Sequence, residues 1–129
     1  MSIASDILRG HTDGIILARL CKKDSYGYEI NKSIQKITGN TYELKEATLY
    51  TAFRRLEEAG YIVSYWGNEL TGARRRYYSI TDSGRDMLRS LRAEWEESKR
   101  SIDKLMDESF DTDNCFGGQK NDRKITFFH

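Results

Sequence analysis

The chain has 129 residues, of which 38% are hydrophobic and 32% charged, with a formal net charge of +1. This length allows one domain with a modest core, and no apolar run approaches the roughly 18 residues of a membrane span. Two cysteines, Cys21 and Cys115, and two histidines are too few and too scattered for a disulfide framework or a metal cluster. No Gly-rich phosphate loop or nucleophile-base signature is present either, so an enzyme is not expected, nor a catalytic residue, cofactor or metal. Met1 is followed by Ser2, Ile3 and Ala4, without the basic start and long apolar region of a secretory leader. The protein is therefore expected in the cytoplasm.

In chain order, residues 2–22 read as a helical stretch interrupted at Gly10 and again near Gly14, with Ile16, Leu17 and Leu20 as its apolar stripe. Each glycine weakens such a helix by roughly 1 kcal/mol relative to alanine, which suggests close packing or an opening. Ser25 is the expected N-cap of the next helix, YGYEINKSIQKIT, with Ile30, Ile34 and Ile37 buried and Gly39 with Asn40 ending it.

The stretch KEATLYTAFRRLEEAG follows. Leu49, Ala52, Phe53, Leu56 and Ala59 recur at helical spacing, leaving Thr48, Thr51, Arg54, Arg55 and Glu58 to face away, and Gly60 stops the helix. The period then changes to that of strands over Tyr61 to Trp66 and Tyr77 to Ile80, joined by a turn with Gly67, Asn68 and Gly72. Arg74, Arg75 and Arg76 open the return strand, and alternation puts Arg74 and Arg76 on one face and Arg75 on the other. Helix, helix, turn, helix and ribbon make a winged helix-turn-helix, a mainly α fold with a β-hairpin wing whose third helix lies in the DNA major groove.

Thr81 is expected to cap a long helix from about Asp82 to Ser109. Its Leu88, Leu91, Trp95, Ser98, Ile102 and Leu105 alternate by three and four residues, the rhythm of a coiled-coil seam, and Glu96 is placed to pair with Arg100. Such a seam asks for a partner helix, and a homodimer follows, with Leu88, Leu91, Trp95, Ile102 and Leu105 at the interface. The expected organisation is thus residues 1–81 for DNA binding, 82–109 for dimerisation and 110–129 as a flexible tail.

The near-neutral net charge conceals an uneven distribution. Lys45, Arg54, Arg55 and Arg74 to Arg76 gather on the helix and ribbon, while acids collect from Glu94 to Asp113. A charge run is commonly a solvated face. Here the cations lie on a helix whose opposite face is core, and a dimer doubles them; each phosphate neutralised steepens the salt dependence by roughly 0.9 in log-log slope. Double-stranded DNA is the expected partner, with Thr48, Thr51 and Arg54 reaching base edges. A winged helix used only for protein contact remains the alternative.

The runs YGYEI at Tyr26 to Ile30, ATLYTAFRRLEEAGYI at Ala47 to Ile62, SYWG at Ser64 to Gly67 and GARRRYYSITDSG at Gly72 to Gly84 together resemble the PadR family of bacterial transcription regulators. The resemblance spans about Ser5 to Met106 and is greatest to the branch with a short C-terminal helix, which includes multidrug-responsive repressors. It implies a homodimeric repressor relieved by a ligand, with Thr48, Tyr50 and Thr51 at the start of the groove-reading helix. Arg54 and Arg55 follow along that helix, and Arg75 and Arg76 contact phosphates from the wing. It also implies a flat pore between monomers in which planar aromatic compounds lie between paired tryptophans: Trp95 matches that tryptophan, Ile7, Gly10 and Gly14 the first-helix lining, and Ser98 and Lys99 the next turn. Two departures stand out. Ala73 replaces a proline or glycine frequent in the wing turn, and Lys99 places a cation where an acid would attract positively charged drugs, so such cations are expected to bind worse than neutral or acidic planar ligands. Trp95 as plain seam packing, in a regulator without a ligand, is the other reading of the same residue.

Overall fold

The computed structural model describes residues 8–68, 72 and 74–107. Its elements are α1 (Thr12–Lys22), α2 (Gly27–Ile37), α3 (Glu46–Glu58), β1 (Ile62–Trp66), β2 (Arg76–Ile80) and α4 (Asp82–Asp107). The fold is the expected one, mainly helical with a two-stranded antiparallel hairpin and a long final helix.

The core is built from one stripe of each element. Ile16, Leu17 and Leu20 of α1 meet Ile30 and Ile34 of α2 and Leu49, Ala52, Phe53 and Leu56 of α3; Ile62, Tyr78, Ile80 and Leu88 close it. Phe53 stacks on Tyr78 with ring centroids 3.8 Å apart, fixing the hairpin against α3. The hairpin pairs Ile62 with Ile80 and Trp66 with Arg76. In this register Ile62, Tyr78 and Ile80 point to the core, and Val63, Tyr65 and Tyr77 share the opposite face.

Several local expectations need correction. The first helix is interrupted at Gly10 as read, but Gly14 lies inside α1 without a break, half-buried with its α-carbon facing Leu91. Ser25 does not cap α2; its backbone pairs with Tyr78 in an isolated bridge (N to O 3.2 Å, and 2.9 Å in return), and Tyr26 occupies the cap position. Ile37 is 62% exposed. The reason is that α2 ends there: Gly39 and Asn40 both adopt positive φ and reverse the chain, and Asn31 binds the backbone of Leu44 at both N and O, bringing Leu44 into the core. Ala59 is exposed because α3 has already ended at Glu58. Finally, Arg74 and Arg75 precede β2, so Arg76 alone of the three lies in the strand.

The start of α4 is tied to the end of α3. Thr81 caps α4 as expected, its Oγ1 accepting from the Gly84 N–H at 3.0 Å. The same hydroxyl donates to the Gly60 carbonyl at 2.7 Å, and the Thr81 N–H donates to the Tyr61 carbonyl at 3.0 Å. A Cβ on Gly84 would lie 2.1 Å from that Tyr61 oxygen, so only glycine lets the backbones approach this closely. By contact, α4 as far as Leu91 belongs with the N-terminal unit, and a second unit begins at Arg92. In the second unit Glu96 pairs with Lys99 at 3.3 Å, where Arg100 was expected.

Candidate nucleic-acid interface

The outward face of α3 carries the expected residues. Lys45, in the cap position, Thr51 and Arg54 are exposed, and Thr48 is half-buried. Tyr50 is only 43% exposed: it leans edge-on against Phe53, centroids 5.5 Å apart, with its hydroxyl over the first residue of α2. A Cβ on Gly27 would meet that hydroxyl at 2.7 Å. Tyr50 therefore helps set how α2 crosses α3, in addition to presenting its edge outward. Arg55 is exposed and ion-paired with Asp13 of α1.

On the wing the three arginines separate, although only Arg76 lies in a strand. Arg74 lies over the Trp66 ring at 5.3 Å and Arg76 over the same ring at 6.0 Å, whereas Arg75 turns to Tyr26 at 4.8 Å. Arg76 is further held: its Nη2 donates to Ser64 Oγ at 2.8 Å and lies 3.5 Å from Glu57 Oε1, while Ser64 Oγ donates to Glu57 Oε2 at 2.7 Å. This triad fastens the wing to the last turn of α3.

The hairpin's other face is aromatic. Tyr65 stacks on Tyr77 at 5.6 Å, Tyr77 meets Tyr26 edge-on at 5.3 Å, and Tyr26 stacks with Tyr28 at 6.5 Å. The Tyr65 hydroxyl donates to Asp24 Oδ2 at 2.6 Å, and this hydrogen bond is the main cause that pushes the phenol up to about 12.

The structure thus brings Arg74 and Arg76 together on Trp66 and gives Arg55, Arg75 and Arg76 intramolecular partners that the sequence did not announce. Those partners are Asp13 for Arg55, Tyr26 for Arg75, and Ser64 with Glu57 for Arg76. Asp13 stands 42 positions from Arg55 and Asp24 41 from Tyr65, too far apart for any periodicity to connect them.

Of the expected ligand set, Ile7 lies outside the described residues, Gly10 is in the turn before α1 and Gly14 faces Leu91. Trp95, Ser98 and Lys99 are exposed on α4, where Glu94, Glu97, Ser98, Ser101 and Ile102 line a shallow depression. Lys99 is paired with Glu96 at 3.3 Å, and Glu94 and Glu97 are the acids at the depression. Of the seam residues, Leu88 is buried in this chain's own core and Leu91 packs against that core. Trp95, Ile102 and Leu105 are exposed. Among the described residues no group of three or more His, Cys, Asp or Glu is placed to hold a metal, and no helix is long and apolar enough to cross a membrane.

The chain is similar to a transcriptional regulator from Clostridium thermocellum, with 48% identity, a TM-score of 0.74 and coverage of 81% of this chain and 99% of that one. It is likewise similar to a PadR family transcription regulator from Clostridium difficile, with 38% identity, a TM-score of 0.63 and coverage of 74% and 97%. An uncharacterized protein of Lysinibacillus sphaericus is 47% identical over 105 residues, 81% of this chain and 96% of that protein. Residues 16–90, more than half the chain and all of the helix-turn-helix and wing, match the transcriptional regulator PadR-like family. The chain belongs to the PadR-like family and is a DNA-binding transcriptional regulator, not an enzyme.

Proposed function

We propose that the protein is a homodimeric repressor, joined through α4 and released from its operator by a small planar aromatic ligand bound beside Trp95 at the dimer interface. The observation that carries this reading is the apolar stripe left open on α4: Trp95 is 40% exposed, Ile102 49%, Leu105 76% and Met106 66%. Trp95, Ile102 and Leu105, seven and three residues apart and so on one side of the helix, with that much apolar surface in water call for a facing helix. Ser98, small and one turn beyond Trp95, leaves room beside the indole where a slot between two copies can form.

In this reading residues 1–81 bind DNA and 82–109 dimerise. Thr48, Thr51 and Arg54 face base edges, Tyr50 contacts the groove wall, and Lys45, Arg55, Arg74, Arg75 and Arg76 face phosphates. The site of action is the cytoplasm, where the operator is. Glu94, Glu96 and Glu97 close to Trp95 make cationic planar ligands acceptable as well as neutral ones.

The chain contains two tryptophans, Trp66 and Trp95, which gives a direct test. In the Trp66→Phe protein, a planar aromatic dye is expected to quench the emission of Trp95, and Trp95→Ala is expected to weaken dye binding roughly tenfold or more, the loss of a stacked aromatic contact on each side of the ligand. Emission unchanged by saturating dye would remove the ligand from this account while leaving DNA binding untouched.

A further inference from the structure

We infer that Asp13 sets the affinity of the DNA-reading helix by competing with DNA phosphates for Arg55. Arg55 stands on the outward side of α3 beside Arg54, and its Nη2 is bonded to Asp13 Oδ1 in the first turn of α1. Both side chains are open to solvent, Arg55 54% and Asp13 37%, so the pair contributes little to folding. Its effect on an approaching polyanion is larger. The carboxylate cancels one unit of positive charge where phosphates are to gather, and a phosphodiester oxygen seeks the same guanidinium donors that Oδ1 occupies. To take a phosphate, Arg55 must release Asp13 or hold two anions that repel each other.

The position of the carboxylate gives this competition a second use. Asp13 is followed by Gly14, where an added Cβ would stand 3.8 Å from Leu91 Cδ1 of α4. Adjacent residues of α1 thus face α4 on one side and hold the reading helix on the other. A displacement of α1 against α4 carries the Asp13 carboxylate toward Arg55 or away from it, adding or removing one phosphate contact per chain. This last step rests on the ligand-release reading above; the competition itself does not and is tested without ligand.

The test is a salt series of fluorescence anisotropy on a labelled mixed-sequence duplex with the full-length chain. Asp13→Asn is expected to bind about five- to tenfold tighter at 0.1 M salt and to steepen the log-log salt slope by about 0.9 per chain, the signature of one more phosphate neutralised. Glu58→Gln, which removes the same charge from the exposed end of α3, serves as control and is expected to leave the slope unchanged. In an Arg55→Ala background Asp13→Asn is expected to add nothing beyond that control. Equal effects of Asp13→Asn and Glu58→Gln, persistence of the gain without Arg55, or weaker binding by Asp13→Asn would each overturn the inference. Dye quenching of Trp95 is read separately, so failure of the competition and failure of the ligand reading are told apart.

Discussion

Replacing Gly84 by alanine is expected to lower the melting temperature by about 15 °C, because the added Cβ costs about 3 kcal/mol as overpacking and each kcal/mol shifts a domain of this size by about 4–8 °C. The contact is chiefly with backbone: the Cβ would stand 2.1 Å from the Tyr61 carbonyl oxygen and 3.0 Å from its carbon, with Ile80 Cγ1 at 2.8 Å. A side chain can rotate out of the way; a carbonyl held by the Thr81 N–H at 3.0 Å cannot do so without breaking that bond. The strain falls where the end of α3 is joined to the start of α4, so the variant should also bind DNA less well at temperatures where it remains folded. Thermal denaturation followed by circular dichroism reads the first effect and anisotropy the second. A melting temperature within two or three degrees of the parent would show that the joint is softer than the geometry requires.

The double variant Arg74→Glu, Arg75→Glu is expected to lose at least about a hundredfold in DNA affinity, with a salt slope shallower by roughly 1.8 per chain for two phosphate contacts removed. Both side chains are exposed and precede β2, so stability should change by no more than about 0.5 kcal/mol for each surface substitution. Arg76 is left alone on purpose. Its guanidinium bridges Ser64 and Glu57, and a glutamate there would set two carboxylates side by side at the base of the wing. DNA retardation by the double variant equal to that of the parent would favour the protein-contact role of the winged helix over the wing as a phosphate clamp.

Much of the fold is legible because its determinants are local. The α3 stripe of Leu49, Ala52, Phe53 and Leu56 follows from 3.6-residue spacing, and the cap of α4 from Thr81. The failures lie where a distant residue decides. Ser25 reads as a cap until Tyr78 offers its backbone, and Ile37 reads as core until Asn31 draws Leu44 in instead. For the candidate interface, the cations are plain in the sequence, but their internal partners are not. Asp13 on Arg55, Glu57 on Arg76 and Tyr26 under Arg75 arise from tertiary contact alone. Those partners decide how much of each charge is available to DNA, so a count of arginines overstates the free positive surface.

At the centre stands the claim that two chains, joined through α4, present two reading heads to one duplex. Sedimentation of the purified protein at micromolar concentration, alone and with a DNA fragment from its own promoter region, tests it most directly. The account predicts a mass of two chains in the free protein and two chains on each duplex at saturation; a monomer in both, or a duplex saturated by a single chain, would contradict it.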